Sequence, residues 1–421
     1  MTDEDLKKMA LQIGKMLARD AIWDGTRCNW LGPANDMFLG ATIAGYGALG
    51  PSVYDGTAGI ALFLAHLGQR TGDPIIQQTA QGAINHALSR YRDCPATVAL
   101  SFYTGHVGIG YAAIVIGQMT GQDTLIARGK DIIAQALEAE TDGTCILDVM
   151  LGVAASIPAI IALQDVLGAD LIEKPLLRWG EKILAQAVED SKGLSWDTAS
   201  EMRSNAGDAD WLGQDTPAKP NLLGYGHGAC GIGLALIELG AAFGQDHLIT
   251  AGKKAFAYEQ EWFDSARGVW PDLRYHGQAE ARGRTEVAWC HGATGIGLAR
   301  LRAYALTNDP TFRAQAQTAA ALTQKTLPTR MTPQTNLCLC HGIGSDIELV
   351  MHPATDDRAV LEQVLDFIKT TYLDAGRPLA YGGGDKHQPP GLMLGLAGTG
   401  YALLRCMRQD RPQSLVCVAS S

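Results

Sequence analysis

Apolar positions along the chain fall into helix-length runs, and each run opens on the same glycine spacing. Ile60-Ala-Leu-Phe-Leu-Ala-His-Leu67 and Ile232-Gly-Leu-Ala-Leu-Ile-Glu-Leu239 are apolar on most sides, as helices buried all round are. They follow Gly56-Thr-Ala-Gly59 and Gly228-Ala-Cys-Gly231, and the same G-x-x-G begins at Gly105, Gly292 and Gly395. Two worn copies begin at Gly152 and Gly342, where Ala155 and Ser345 replace the second glycine, so the pattern recurs seven times. Sixteen residues after the first glycine the chain reaches Gly72, Gly121, Gly168 and Gly244, and in a fifth copy Asn308. Gly and Asn tolerate the left-handed conformation that closes a helix. Each unit is therefore predicted to hold an inner helix of about four turns, opened by G-x-x-G and closed by Gly or Asn.

A second helix follows in each unit. Asp73-Pro74 and Asp309-Pro310 are N-cap and first-turn proline signals. After the first, Ile76, Ala80, Ile84 and Ala87 make one stripe while Gln77, Gln78 and Gln81 face away, which predicts an amphipathic outer helix. Gly121-Gln-Asp-Thr-Leu-Ile126 and Gly244-Gln-Asp-His-Leu-Ile249 are near copies, each followed by a Gly-Lys pair, at Gly129-Lys130 and Gly252-Lys253. Internal duplication thus extends beyond the glycines. About seven inner and seven outer helices predict an all-α fold, an α/α toroid, as a single domain over residues 1–421. An open solenoid is the alternative, and it would need polar caps at both ends. Insertions at about 191–221, 275–287 and 374–390 are too long for ordinary connections. They are expected to lie as loops over the site, against the plainer reading of mobile surface.

The formal net charge of −10 argues against a nucleic-acid partner. No apolar run approaches ~18 uninterrupted residues, so no membrane span is predicted. The start, Met1-Thr-Asp-Glu-Asp-Leu-Lys-Lys8, lacks the apolar core of a signal peptide. Nine widely scattered cysteines read as reduced thiols in a cytoplasmic protein.

Chemistry enters at the residues just before the glycines. Cys290-His291 and Cys340-His341 precede two of them, and His227 precedes a third. Cys290, Cys340 and His341 form a candidate metal set, because zinc takes thiolate and imidazole ligands and a catalytic zinc keeps its fourth position open. Adjacent Cys-His is not a finger spacing, and a small buried hydrophobe is the alternative for each cysteine. The repeat favours the metal reading, since Cys290 and Cys340 stand in the same slot, two residues before the first glycine; Cys338 is a spare. His227 is a candidate general acid/base, or a histidine bonded to a nearby carbonyl. Asp148, four residues before Gly152, is a helix cap or a group that orients a histidine. Cys230, His106 and Cys145 read as packing residues. Arg282, Arg284 and Glu286 form a charged loop before Cys290 that is either solvated or in contact with substrate.

These motifs resemble the lanthipeptide cyclases, LanC and in particular the C-terminal cyclase domain of LanM synthetases. The matching segments are Tyr54-Asp-Gly-Thr-Ala-Gly-Ile-Ala-Leu-Phe-Leu-Ala65, Gly224-Tyr-Gly-His-Gly-Ala-Cys-Gly-Ile232, Trp270-Pro-Asp-Leu-Arg274, Trp289-Cys-His-Gly-Ala-Thr-Gly-Ile-Gly-Leu-Ala-Arg300, Leu339-Cys-His-Gly342 and Gly391-Leu-Met-Leu-Gly-Leu-Ala-Gly398. The resemblance implies an α/α toroid holding one Zn2+ through Cys290, Cys340 and His341. It implies that His227 and Asp148 are catalytic. The family's active-site arginine stands four residues before the first zinc cysteine, where this chain has Glu286, so Arg284 is the nearest candidate. Thr294, Thr399 and the Ile343-Gly-Ser-Asp346 stretch also depart from the family pattern. No dehydratase domain precedes the match, which implies either a separate dehydratase partner or a domain excised from a larger synthetase.

The implied reaction adds a cysteine thiolate of a dehydrated precursor peptide to dehydroalanine or dehydrobutyrine, with His227 delivering the proton. Addition of glutathione or another small thiol is the alternative within the family. A zinc-dependent transferase or a glycoside-processing barrel is disfavoured by the 7% aromatic content and by the single prominent carboxylate, Asp148. A non-catalytic peptide-binding toroid is the third class, argued against by the intact ligand set.

Overall fold

The computed structural model describes residues 1–38, 41–139, 145–199, 220–276, 287–355, 358–381 and 388–418. The first helix is α1 (Asp3–Asp20). Inner and outer helices then alternate: α2 (Thr57–Thr71) and α3 (Pro74–Arg90), then α4 (His106–Thr120) and α5 (Asp123–Ala139). The third unit has α6 (Ser156–Ile161), the short α7 (Gln164–Leu167) and α8 (Ala169–Ala185). Next come α9 (Ala229–Phe243) and α10 (Asp246–Glu261), α11 (Ala293–Thr307) and α12 (Pro310–Arg330), α13 (Ile343–Val350) and α14 (Arg358–Ile368), and last α15 (Leu396–Arg405).

The ring is closed. Each inner helix packs on the next, from α2 through α4, α6, α9, α11 and α13 to α15, and α15 packs back on α2. The chain therefore forms an α/α toroid. The outer partner of α15 is α1, which buries Leu6, Met9, Ala10, Ile13 and Leu17 on one stripe and carries a Thr2–Asp5 capping box.

Closure of the inner helices follows the expected chemistry. Gly72, Gly121, Gly244 and Asn308 adopt left-handed φ of 64°, 68°, 66° and 55°. The third unit departs from its sisters. Its inner helix begins at Ser156 rather than directly after Gly152, and it breaks after Ile161. Pro158 accounts for the late start. It sits in the first turn, where its missing N–H costs nothing, whereas a start at Val153 would have placed it in the helix interior.

The second glycine of the motif is a close-approach position. A β-carbon at Gly59 would stand 2.1 Å from the Val53 carbonyl oxygen, and one at Gly295 would stand 2.0 Å from that of Trp289. Each inner helix thus lies directly on the turn that precedes it.

Those turns are joined to one another by a girdle of hydrogen bonds around the mouth of the ring. The slot two residues before the first glycine holds Tyr54, Tyr103, Met150, Gly226, Cys290, Cys340 and Met393 in turn. Tyr54 N–H donates to Tyr103 O (2.8 Å), Met150 to Gly226 (3.3 Å), and Gly226 to Cys290 (2.8 Å). Cys290 donates to Cys340 (3.2 Å), Cys340 to Met393 (3.0 Å), and Met393 back to Tyr54 (2.7 Å). At the remaining junction Ser101 Oγ relays the bond, accepting from Tyr103 N–H (3.1 Å) and donating to Met150 O (2.9 Å).

Below this girdle the interior is filled by residues 413–418. Tyr103 Oη donates to Leu415 O (2.7 Å), Trp289 Nε1 to Val416 O (2.6 Å), and Tyr401 Oη to Gln413 O (2.8 Å). Three two-stranded hairpins, not anticipated from the helical pattern, pair Ile22–Asp24 with Arg27–Asn29, Leu31–Phe38 with Ala41–Ala48, and Val188–Asp190 with Gly193–Ser195. The strands Arg27–Asn29 and Gly193–Ser195 pack on the outer helices α3 and α10. Most of the three expected insertions falls outside the described residues, at 200–219, 277–286 and 382–387. No helix among the described residues is long and apolar enough to cross a membrane.

Candidate active site

Cys290 and Cys340 fill neighbouring slots of the girdle, so one direct backbone bond sets their sulfurs side by side. One ligand atom from each of Cys290, Cys340 and His341 lies within 4.8 Å of the others. Both cysteines are buried, and His341 is exposed at the rim. A hydrogen bond to the Cys290 sulfur, followed by burial, holds the Cys340 thiol well above its ordinary range. Two thiols facing each other resist double ionisation, and a bound cation reverses that preference. Partial desolvation by the surrounding rim and then the Arg274 charge hold His341 below its ordinary value, which favours the neutral ligand form. Two soft sulfurs and one imidazole nitrogen fit zinc with a fourth position left open.

Cys338 is not in this triad. Its Sγ accepts the His341 N–H at 3.4 Å, and burial pushes its thiol up to about 11. It is a packed thiol that pins the backbone of a candidate ligand.

The second group stands on the adjacent turns. Asp148 is fully buried, and its Oδ1 accepts from the Leu151 N–H (2.7 Å) and the Gly152 N–H (3.1 Å), capping the third turn. Its Oδ2 lies 2.5 Å from His227 Nδ1. With Nδ1–H donating to this carboxylate, Nε2 is the acceptor nitrogen of the neutral ring. The His227 ring lies against that of His291, with centroids 5.5 Å apart and planes tilted by 31°, and Gly226, one residue earlier, is bonded to the Cys290 carbonyl. The candidate metal set and the Asp148–His227 pair therefore share one rim.

The sequence model of the family described as "Lanthionine synthetase C-like protein" matches residues 47–418. The chain belongs to this family. Among solved structures the fold is similar to "Nisin cyclase", at TM-score 0.64 and 16% identity, over 96% of this chain and 93% of that one. A "sugar epimerase from ruminal bacterium" matches at TM-score 0.37 and 11% identity, over 77% of this chain and 87% of that one, and carries no argument. No curated protein matches in sequence.

In this LanC-like chain the structure brings together Cys290, Cys340, His341, His227 and Asp148, all singled out from sequence. Arg284, with Arg282 and Glu286, lies outside the described residues. The described cation whose charge reaches the site is Arg274, which disfavours protonation of both His291 and His341. Its guanidinium is held by Asp272, with Nη2 2.7 Å from Oδ2 and Nε 3.0 Å from Oδ1. Arg274 sits between repeats, where no periodicity marks it, and the available signal was its place at the end of the Trp270-Pro-Asp-Leu-Arg274 segment. Tyr54 is the other addition, its hydroxyl held well above its ordinary range by burial and then by the nearby Cys340 thiol. The signal for it was available, because Tyr54 shares the slot of Cys290 and Cys340. His106, Cys145 and Cys230 pack as expected, Cys230 against the buried Arg300 guanidinium at 3.6 Å.

Proposed function

We propose that this chain is a zinc-dependent lanthionine cyclase, a single toroidal domain over residues 1–421 that closes thioether rings in a dehydrated precursor peptide. The observation that carries the reading is the Cys290–Cys340–His341 triad on the same rim as the hydrogen-bonded Asp148–His227 pair. The cyclase name of the similar solved structure agrees with it. Zinc, when held by the triad, supplies a Lewis acid that makes a substrate thiolate available at neutral pH.

The protein's own residues do the rest. Asp148 fixes the His227 tautomer so that Nε2 accepts the proton of the substrate thiol. The thiolate adds to the β-carbon of dehydroalanine or dehydrobutyrine, one C–S bond forms, and the alkene π pair moves toward the carbonyl as an enolate. His227 returns its proton to the α-carbon. No electron is gained or lost overall. The Arg274 charge favours the enolate, standing in the role expected of Arg284. The alkene must come from dehydration of Ser or Thr, performed by a dehydratase on a separate chain or on a domain joined to this one. None of the nine cysteines is held in a disulfide, consistent with work in the cytoplasm.

The test is zinc content together with ring closure on a dehydrated peptide bearing one cysteine, scored by loss of its free thiol. Wild type should hold near one zinc per chain and consume the thiol, whereas Cys290→Ala and Cys340→Ala should lose both. Thiol consumption that persists in both variants would overturn the reading. A glutathione adduct formed in preference to the ring would move the assignment to small-thiol addition.

A further inference from the structure

The slot four residues after the first glycine of each unit is a core position. It holds Ile60, Ile109, Ile232 and Ile296 in four units, all fully buried, and in the sixth it holds Asp346. The slot two residues after that glycine holds Ala, Val, Cys or Gly in every unit but the fifth, where it holds Thr294. Two neighbouring units thus each carry a polar residue in an apolar or small slot, and the fold brings the two together.

Asp346 on α13 and Thr294 on α11 are both fully buried. Thr294 Oγ1 donates to Asp346 Oδ1 at 2.5 Å, and Arg330 Nη1, at the end of α12, donates to Oδ2 at 2.6 Å. One carboxylate therefore ties two inner helices and the outer helix between them. Thr294 stands four residues after Cys290, and Asp346 five after His341. The tie lies in the first turn of each inner helix, below the girdle bond from Cys290 N–H to Cys340 O (3.2 Å), so the two candidate ligand turns are joined at two levels.

Stability does not explain it. A buried ion pair in an isoleucine slot carries a desolvation cost that its pairing at best repays. Burial holds the Asp346 carboxyl above its ordinary value, against the pull of the Arg330 charge and the Thr294 hydroxyl. What a fully bonded carboxylate supplies is a fixed arrangement of the helices it joins.

We propose that Asp346 is a positioning residue that, through Thr294 and Arg330, sets the spacing of α11 and α13 and with it that of the Cys290–Cys340–His341 set. This rests on the reading of that set as a metal site.

Thr294→Val combined with Asp346→Ile replaces both partners by apolar groups, which is close to neutral for stability. Arg330, with 27% of its side chain exposed, can turn to solvent. Chelator competition measures zinc affinity, calorimetry measures melting of the metal-free protein, and the visible bands of the cobalt-substituted protein report ligand geometry. The double variant should melt no lower than wild type yet bind zinc roughly 10–100-fold more weakly, with shifted cobalt bands. Thr294→Ser keeps the hydroxyl and should bind zinc as wild type does. Wild-type affinity in the double variant would overturn the proposal, as would binding by Thr294→Ser as weak as that of the double variant. A melting temperature and an affinity that fall together would also overturn it, because a merely structural role predicts that result. Should the double variant not fold, Thr294→Val is compared with Thr294→Ser. The valine variant should then bind roughly tenfold more weakly or worse, and equal affinities would overturn the proposal. Wild type that holds no zinc sinks the metal reading and this one with it, whereas wild type that holds zinc no more tightly than its variants sinks this one alone.

Discussion

Gly226→Ala strikes the girdle at the point where it carries the candidate centre. Gly226 donates its N–H to Cys290 O at 2.8 Å and accepts from Val149 and Met150 at 3.1 and 3.3 Å. A β-carbon there would stand 3.0 Å from Cys290 Cβ, 3.2 Å from its Cα and 3.3 Å from its carbonyl oxygen. Gly226 is not among the positive-φ glycines, so the backbone itself accepts alanine. The clash must be relieved by moving Cys290, which is tied on its other side to Cys340 O at 3.2 Å. Overpacking of this kind costs about 1–3 kcal/mol. A ligand displaced by a few tenths of an ångström approaches the ~0.5 Å tolerance of a preorganised site. Zinc affinity should therefore fall by about 10–100-fold, or about 1.4–2.7 kcal/mol.

Chelator competition measures the affinity, and urea unfolding of the metal-free protein measures the stability. Gly244→Ala is the control, with φ of 66° and nothing within 4 Å of its β-carbon. It should cost about 1–2 kcal/mol of stability through backbone strain alone and leave zinc affinity untouched. Wild-type zinc affinity in G226A, or an equal loss in Gly244→Ala, would refute the reasoning.

Two further outcomes follow from buried groups. Asp148→Asn keeps an acceptor for the Leu151 and Gly152 N–H groups but loses the charge that fixes the His227 tautomer, so the ring-closure rate should fall by about 10²–10⁴ with zinc content unchanged; a rate within twofold of wild type would remove Asp148 from the site. Burial, and then the Arg70 charge, hold His66 down to about 3, so it is neutral in the fold while the unfolded chain protonates below its ordinary value near ~6.5. Its contribution to stability is full above that value and declines by at most ~1.4 kcal/mol per pH unit as pH falls from there toward 3, which makes about 2 kcal/mol by pH 5. His66→Gln should flatten that slope in urea unfolding between pH 7 and pH 5, and an unchanged slope would show that other groups carry it.

The sequence by itself determined what depends on local backbone and short-range pairing. Gly72, Gly121, Gly244 and Asn308 close helices because only they take up left-handed φ cheaply, and Asp73-Pro74 and Asp309-Pro310 open helices because cap and proline act within one turn. The candidate ligands Cys290, Cys340 and His341 were legible for the same reason, as departures within a repeated slot. Pro158 was equally local, yet its delay of the third inner helix was missed because the glycine register was read without it. Tertiary structure alone decided which slots meet. Tyr54 and Met393 lie far apart in the chain, and only ring closure makes them neighbours at 2.7 Å. Ring closure likewise recruited α1 as the outer partner of α15. It also set the Asp148 carboxylate 2.5 Å from His227 across 79 residues of sequence. Such contacts rest on hydrogen bonds between distant turns, and no periodicity along one chain records which turn will face which.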